Sequence, residues 1–169
     1  MRKAIILCVA GIIITLATYL VYRVFATIQQ KKAVEKNTAI LPVFSFRTLN
    51  NKTFSHTDLE NANDKIIFNH FSPTCEHCQY MAKSFLANKD KLKDVTILMV
   101  TIADSTSVAK FSNEYQLATM PNIILLRDTK YQFEKTFGTS VVPSFFIYQN
   151  TKLVKKIIGE TKIDNLLAP

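Results

Sequence analysis

Hydrophobic side chains fall into three kinds of run along this chain: unbroken, alternating by twos, and spaced by threes and fours. The unbroken run comes first. Ala4 through Tyr22 carries no charged side chain, and Ile5-Ile6-Leu7-Cys8-Val9-Ala10-Gly11-Ile12-Ile13-Ile14 forms its centre. As a helix this stretch spans about 28 Å, close to the hydrocarbon thickness of a bilayer. Tyr19, Tyr22 and Arg23 close it with the residues of a membrane interface. Residues 1–26 are therefore expected to be a single N-terminal transmembrane anchor. A cleaved signal peptide is the rival, but the apolar run exceeds a usual signal core and no small-x-small site follows it. Residues 27–40, with Gln29-Gln30-Lys31-Lys32 and Glu35-Lys36-Asn37, read as a polar stalk that either stands alone or extends the helix.

Alternation begins at Leu41. Pro42 to Leu49 reads as alternating apolar and polar, with Phe44 and Phe46 set against Ser45 and Arg47; Asn50-Asn51-Lys52 is turn material and Thr53-Phe54 follows, so a hairpin is predicted. Ser55 or Thr57 is placed to cap a short helix ending near Asn61. Lys65–Phe71 and Val95–Ile102 are dense apolar runs of buried-strand length. Between them, Cys78, Met81 or Ala82, and Phe85 have helical spacing, as do Val108, Phe111 and Tyr115 beyond Asp104-Ser105. Pro121 ends that helix, and 122–126 is a short strand. Asp128 is expected to cap a helix through Tyr131 and Phe133 that Gly138 terminates. Ser144–Tyr148 and Leu153–Ile158, joined by Gln149-Asn150-Thr151-Lys152, form a second hairpin, and 163–167 is a final stub of helix. Strands alternating with helices and closed by a hairpin predict a three-layer α/β domain with a mixed central sheet over residues 41–169.

Charge changes this picture little. The formal net charge is +8 over 169 residues. Arg2, Lys3 and Arg23 flank the apolar run, and the remaining lysines are interspersed with Asp and Glu. No arginine-rich helix and no basic stripe interleaved with aromatics occurs, so the footprint of nucleic-acid binding is missing. Arg2 and Lys3 favour a cytoplasmic N-terminus, although Arg23, Lys31 and Lys32 weaken the contrast. With so short a tail ahead of the span, the bulk of the chain is expected outside the cytoplasm.

The candidate chemistry lies in Ser72-Pro73-Thr74-Cys75-Glu76-His77-Cys78, where the strand ending at Phe71 gives way to a helix. Cysteines two residues apart at such a junction suit reversible dithiol–disulfide exchange. Unpaired N–H groups at the helix start stabilise a thiolate at Cys75, and Cys78 lies one turn further in, where it can attack a mixed disulfide. The loop between them closes almost no chain entropy, so the pair serves chemistry better than stapling. A protonated His77 favours the Cys75 thiolate and Glu76 disfavours it, leaving the sign of their net effect open. Thr74, Glu76 and His77 are expected to modulate the pair.

This order, with Cys75-Glu76-His77-Cys78 early and Val142-Pro143 at a late strand start, resembles the thioredoxin superfamily. More closely it is similar to the membrane-tethered TlpA/ResA-type (redoxin) thiol–disulfide oxidoreductases. The resemblance implies a thioredoxin-like fold, Cys75 as nucleophile and Cys78 as resolving thiol. It also implies Pro143 as a cis-proline, with Val142 offering backbone groups to a substrate strand. No cofactor beyond the Cys75–Cys78 pair and no metal is implied. Partners by resemblance are disulfide-containing extracytoplasmic proteins, apocytochrome c among them, and a membrane thiol reductant of CcdA/DsbD type. The location implied is the periplasm or the outer face of the membrane.

The departures are specific. The family usually has Trp before the first cysteine, where Thr74 stands in a chain without Trp. A buried Asp six positions earlier is replaced by Asn69, and a Glu three positions after the second cysteine by Met81. Glu76, water or His70 are the remaining proton acceptors for Cys78. His70 itself is expected to pack beside the active-site helix. The Glu76 position resembles ResA-type loops and the His77 position DsbA-type ones, so a DsbA-like oxidant or isomerase is the alternative direction.

Other readings account for less of the chain. His70, Cys75, His77 and Cys78 include zinc and copper ligand types, as in a thioredoxin-fold metal assembly factor. No second ligand pair follows at finger-like spacing, however, and no histidine occurs after His77. A non-enzymatic anchored module would leave the pair structural. A peroxiredoxin would use Ser72 ahead of Cys75 with a supporting arginine, for which only Arg127 offers itself.

Overall fold

The computed structural model describes residues 2–59 and 63–168, with the side chains of 3–10 outside that description. Cys8 and part of the expected anchor therefore fall outside the described side chains, and Asn61 falls outside the described residues. The chain divides into two units, one ending at Lys36 and the other beginning at Asn37.

The first unit belongs to helix α1 (Arg2–Thr38), which runs without interruption through the stretch read as a stalk. No Gly or Pro occurs between Gly11 and Pro42, and Gln, Lys, Ala and Glu dominate residues 29–36, so nothing in the sequence stops the helix earlier. Gly11–Thr38 is long and apolar enough to cross a membrane by length and composition, and Ile12, Ile13, Ile14 and Val21 lie exposed.

The second unit is organised by a seven-stranded mixed sheet. Its strands are β1 (Ser45–Thr48), β2 (Thr53–Ser55), β3 (Lys65–His70), β4 (Thr96–Thr101), β5 (Ile123–Arg127), β6 (Ser144–Gln149) and β7 (Lys152–Ile158). Their order is β2-β1-β5-β4-β3-β6-β7, with β3, β4 and β5 parallel and the other pairs antiparallel. The dense apolar runs become β3 and β4 at the centre, where both faces are covered. The last hairpin turns on Asn150 (φ 49°) and Thr151 (φ 66°), two positive-φ residues that match the twist of its strands.

Period-two alternation sorts the side chains onto two cores. Ile67, Phe71, Ile97, Met99, Phe145 and Ile147 face one side. There they meet Cys78, Met81 and Phe85 of α2 (Glu76–Ala87), Val108 and Phe111 of α4 (Ser105–Glu114), and Ile163 and Leu166 of α6 (Ile163–Leu167). Ile66, Phe68, Leu98, Val100, Phe146 and Tyr148 face the other side, against Phe133 and Phe137 of α5 (Gln132–Phe137) and Phe44 and Phe46.

Several elements differ from expectation. The first strand is shorter, because Pro42 to Phe44 make no ladder although Phe44 is buried. The segment after Ser55 is one 3₁₀ turn (His56–Leu59), and its anchor is Asp58, whose carboxylate accepts from the Ser55 N–H at 2.8 Å. A short α3 (Lys89–Leu92) and a 3₁₀ turn at Leu117–Thr119 add to the predicted set. Asp128 does satisfy a helix N–H, that of Phe133 at 2.7 Å, but α5 begins only at Gln132. Tyr131 precedes it in the left-handed region (φ 54°), so it flanks the helix instead of lying in it.

Candidate active site

Beyond His70 the backbone leaves the sheet in a tight turn. Phe71 N–H still donates to the Val100 carbonyl at 3.0 Å, and Cys75 N–H donates to the Ser72 carbonyl at 3.2 Å. Pro73 presets its φ for this turn, and Gln79 Nε2 donates back to the Pro73 carbonyl at 3.0 Å. The Thr74 side chain is exposed, its hydroxyl 3.1 Å from that of Ser72. Cys75 keeps an extended backbone (φ −87°, ψ 120°) as the residue flanking α2, and its carbonyl accepts from Cys78 and Gln79, each at 3.0 Å. Its sulfur therefore stands at a helix start, where backbone N–H groups lack helical acceptors.

The two thiols have different surroundings. Cys75 is partly exposed, and its Sγ lies 3.8 Å from the Val142 carbonyl. Cys78 is 1% exposed and receives the Ser72 N–H at 3.5 Å. Burial pushes its thiol up from 9.0 to about 12, the Ser72 N–H opposes that rise, and the Cys75 sulfur adds to it. An accessible sulfur beside a guarded one is the arrangement that disulfide exchange requires: one attacks, the other resolves.

Across from the pair, the Val142–Pro143 peptide is cis. Pro143 is buried and Val142 half-buried, so the predicted substrate-facing residues adjoin the predicted nucleophile. At the two positions that lack carboxylates, Asn69 Nδ2 lies 3.4 Å from the Ser144 carbonyl and Met81 Sδ accepts the Thr161 N–H at 3.4 Å. His70 is not beside the active-site helix. Alternation along β3 sends it to the opposite face from Asn69 and Phe71, where its ring stacks on Phe133 at 4.4 Å and 20°. Burial lowers its basicity, against the Val141 carbonyl, Asp128 and Glu134, which favour its protonation. It is poorly placed to take the Cys78 proton.

Glu76 is exposed on the first turn of α2. His77 is exposed too, and its Nδ1 lies 2.8 Å from Glu160 Oε2. Glu160, with Gly159 and Thr161 on either side, is the part of the site that sequence reading missed. It lies 83 residues from His77, in the turn after β7, and carries no motif. Among the described residues no group of three or more His, Cys, Asp or Glu is arranged to hold a metal ion.

The thioredoxin family model matches residues 45–140, more than half of the chain, including both cysteines and ending just short of Pro143. The chain belongs to the thioredoxin family. Its half-exposed and buried thiols make this thioredoxin-family domain a thiol–disulfide oxidoreductase. Comparison with curated proteins gives no match. Among solved structures, Mycobacterium tuberculosis DsbF superposes with a TM-score of 0.62 and 23% identity, over 73% of this chain and 89% of that one. A secreted M. tuberculosis disulfide oxidoreductase homologous to Escherichia coli DsbE gives 0.57 and 20%, over 70% and 85%. A peroxiredoxin-like protein from Aquifex aeolicus gives 0.60 and 14%, over 77% and 82%. Likeness that extends to a peroxiredoxin-like protein at such identities is likeness of fold.

Proposed function

We propose that this protein is a membrane-tethered, extracytoplasmic thiol–disulfide oxidoreductase that reduces protein disulfides through Cys75 and Cys78. The observation that carries the reading is the asymmetry of the two sulfurs beside the Val142–Pro143 loop. The apolar helix Gly11–Thr38 supports the tether, and the secreted disulfide oxidoreductase of like fold supports the location.

In this reading an extended substrate segment lies along Val142-Pro143, and the Cys75 thiolate attacks one sulfur of its disulfide. The substrate S–S bond breaks, a Cys75–substrate disulfide forms, and the departing substrate sulfur takes a proton. Cys78 then loses its proton and attacks Cys75 Sγ, releasing the second substrate thiol and leaving Cys75–Cys78 oxidised. Two electrons have passed to the substrate. The slow point is Cys78, whose deprotonation burial opposes and the Ser72 N–H assists. A membrane thiol carrier of CcdA/DsbD type would return the two electrons, and extracytoplasmic proteins such as apocytochrome c would receive them.

The direction is tested by the reduction potential of the full-length protein in detergent, measured in dithiothreitol redox buffers. A value near or below about −270 mV, the range of thioredoxin, is expected. A value near about −120 mV, the range of DsbA, would make it an oxidant instead.

A further inference from the structure

The turn after β7 touches both halves of the active site. Gly159 N–H donates to the Pro143 carbonyl at 2.8 Å, and Thr161 N–H donates to Met81 Sδ on α2 at 3.4 Å. Between them, Glu160 reaches the imidazole of His77 at 2.8 Å. Gly159 adopts φ +93°, a conformation that L side chains rarely take, and this lets the chain double back toward the proline loop. The carboxylate is thus delivered to His77 by a backbone held at two neighbouring points.

His77 stands two residues after Cys75, on the first turn of α2. An imidazolium free at that end of the helix favours a thiolate on Cys75, stabilises the reduced dithiol and makes the disulfide a stronger oxidant. Paired with a carboxylate, the same ring is oriented by its partner and its charge is offset. Charged groups beside this pair include Glu76, which precedes His77, and Lys162, which lines the same surface hollow as Glu160, Tyr80, Thr161 and Asn165.

We propose that Glu160 is a positioning residue that holds the His77 imidazole to itself. It thereby keeps the Cys75–Cys78 couple more reducing than the Cys-Glu-His-Cys loop alone would make it. The proposal deepens the reductase reading and rests on it for its biological sense, but the two fail separately. The absolute potential tests the direction, and the shift on substitution tests Glu160.

The experiment is an equilibrium titration of the full-length protein in detergent against dithiothreitol at about pH 6. Oxidation passes two electrons and two protons from the Cys75–Cys78 dithiol to oxidised dithiothreitol, closing the protein disulfide and opening that of the reagent. Glu160→Gln is expected to lower the equilibrium constant for protein oxidation about threefold, a rise of about 14 mV in potential. In a His77→Asn background the same substitution is expected to change it less than about 1.5-fold, because no imidazole remains to be released. An equal shift in both backgrounds overturns the proposal, since Glu160 would then act on Cys75 directly. No shift in either overturns it as well. Because both side chains are largely exposed (68% and 49%), the variants are expected to fold. If Glu160→Gln does not, Glu160→Ser is carried through the same cycle and judged by the same two outcomes.

Discussion

The face of the sheet that carries α2 and the face that carries α5 are built from different materials. On the α5 side, seven of the twelve buried core side chains among the described residues are aromatic. Phe68, Phe133, Phe137 and Phe146 form a connected set, with ring centroids 4.4–5.9 Å apart in the pairs that touch. Its polar members are tied into that packing: the Tyr148 hydroxyl donates to the Thr38 carbonyl, and His70 stacks on Phe133. On the α2 side, five of the nineteen described buried side chains are aromatic, and Cys78, Met81, Met99 and Met120 place sulfur among them and the aliphatic residues. Flexible, polarizable sulfur side chains are mixed in on the face where a dithiol must become a disulfide and back, and rings predominate on the face that backs the strands. One strand serves both: β3 gives Asn69 to the first face and His70 to the second.

The comparison can be broken most severely at Cys75. Cys75→Ser is expected to abolish disulfide-reductase turnover while leaving thermal unfolding nearly unchanged, because the residue is partly exposed and caps nothing through its side chain. An insulin-reduction assay beside a melting curve checks both halves. Retained turnover would place the chemistry elsewhere.

The reverse dissociation is expected on the other face. Phe68 is fully buried against Phe44, Phe137 and Tyr148. Phe68→Ala is expected to cost about 3–5 kcal/mol of stability. Turnover per folded molecule should stay the same, as read from urea unfolding and from activity at low temperature. A large loss of specific activity at full folding would show that the two faces are not separable.

A smaller effect sharpens the picture of the guarded thiol. Cys78 ionises near 9.0 when unfolded and about 12 when folded. Between those values the unfolded chain gives up a proton that the folded chain keeps. This contribution to the stability of the reduced protein is complete below about pH 9 and falls by at most about 1.4 kcal/mol per pH unit above it. Urea unfolding of reduced protein near pH 8 and near pH 10.5 is expected to show a steeper loss than the same comparison on Cys78→Ala. Parallel losses would mean that Cys78 is not held as a neutral thiol.

How far the site was legible depends on the range of each interaction. Cys75 and Cys78 were legible because their spacing and the strand-to-helix junction are local. Val142-Pro143 was legible through resemblance. The side of β3 that His70 would face could be inferred from alternation, since Asn69 and Phe71 bracket it, but which helix covers that side could not. Asp128 announced a cap, yet the positive φ of Tyr131 delayed the helix, and nothing in a Lys-Tyr-Gln sequence signals that conformation. Glu160 was invisible because an exposed glutamate after a strand is ordinary, and its partner lies 83 residues away.

The sequence by itself determined the element types, the two-faced strands and the presence of an exchangeable thiol pair, because periodicity, turn residues and helix starts act over a few residues. Only the tertiary structure decided how closely Cys78 is enclosed, which carbonyl faces Cys75 and which carboxylate holds His77. Those outcomes depend on burial and on contacts between distant segments. Desolvation and short-range charge pairing are set by whatever atoms the fold brings within a few ångströms, and no local pattern encodes them.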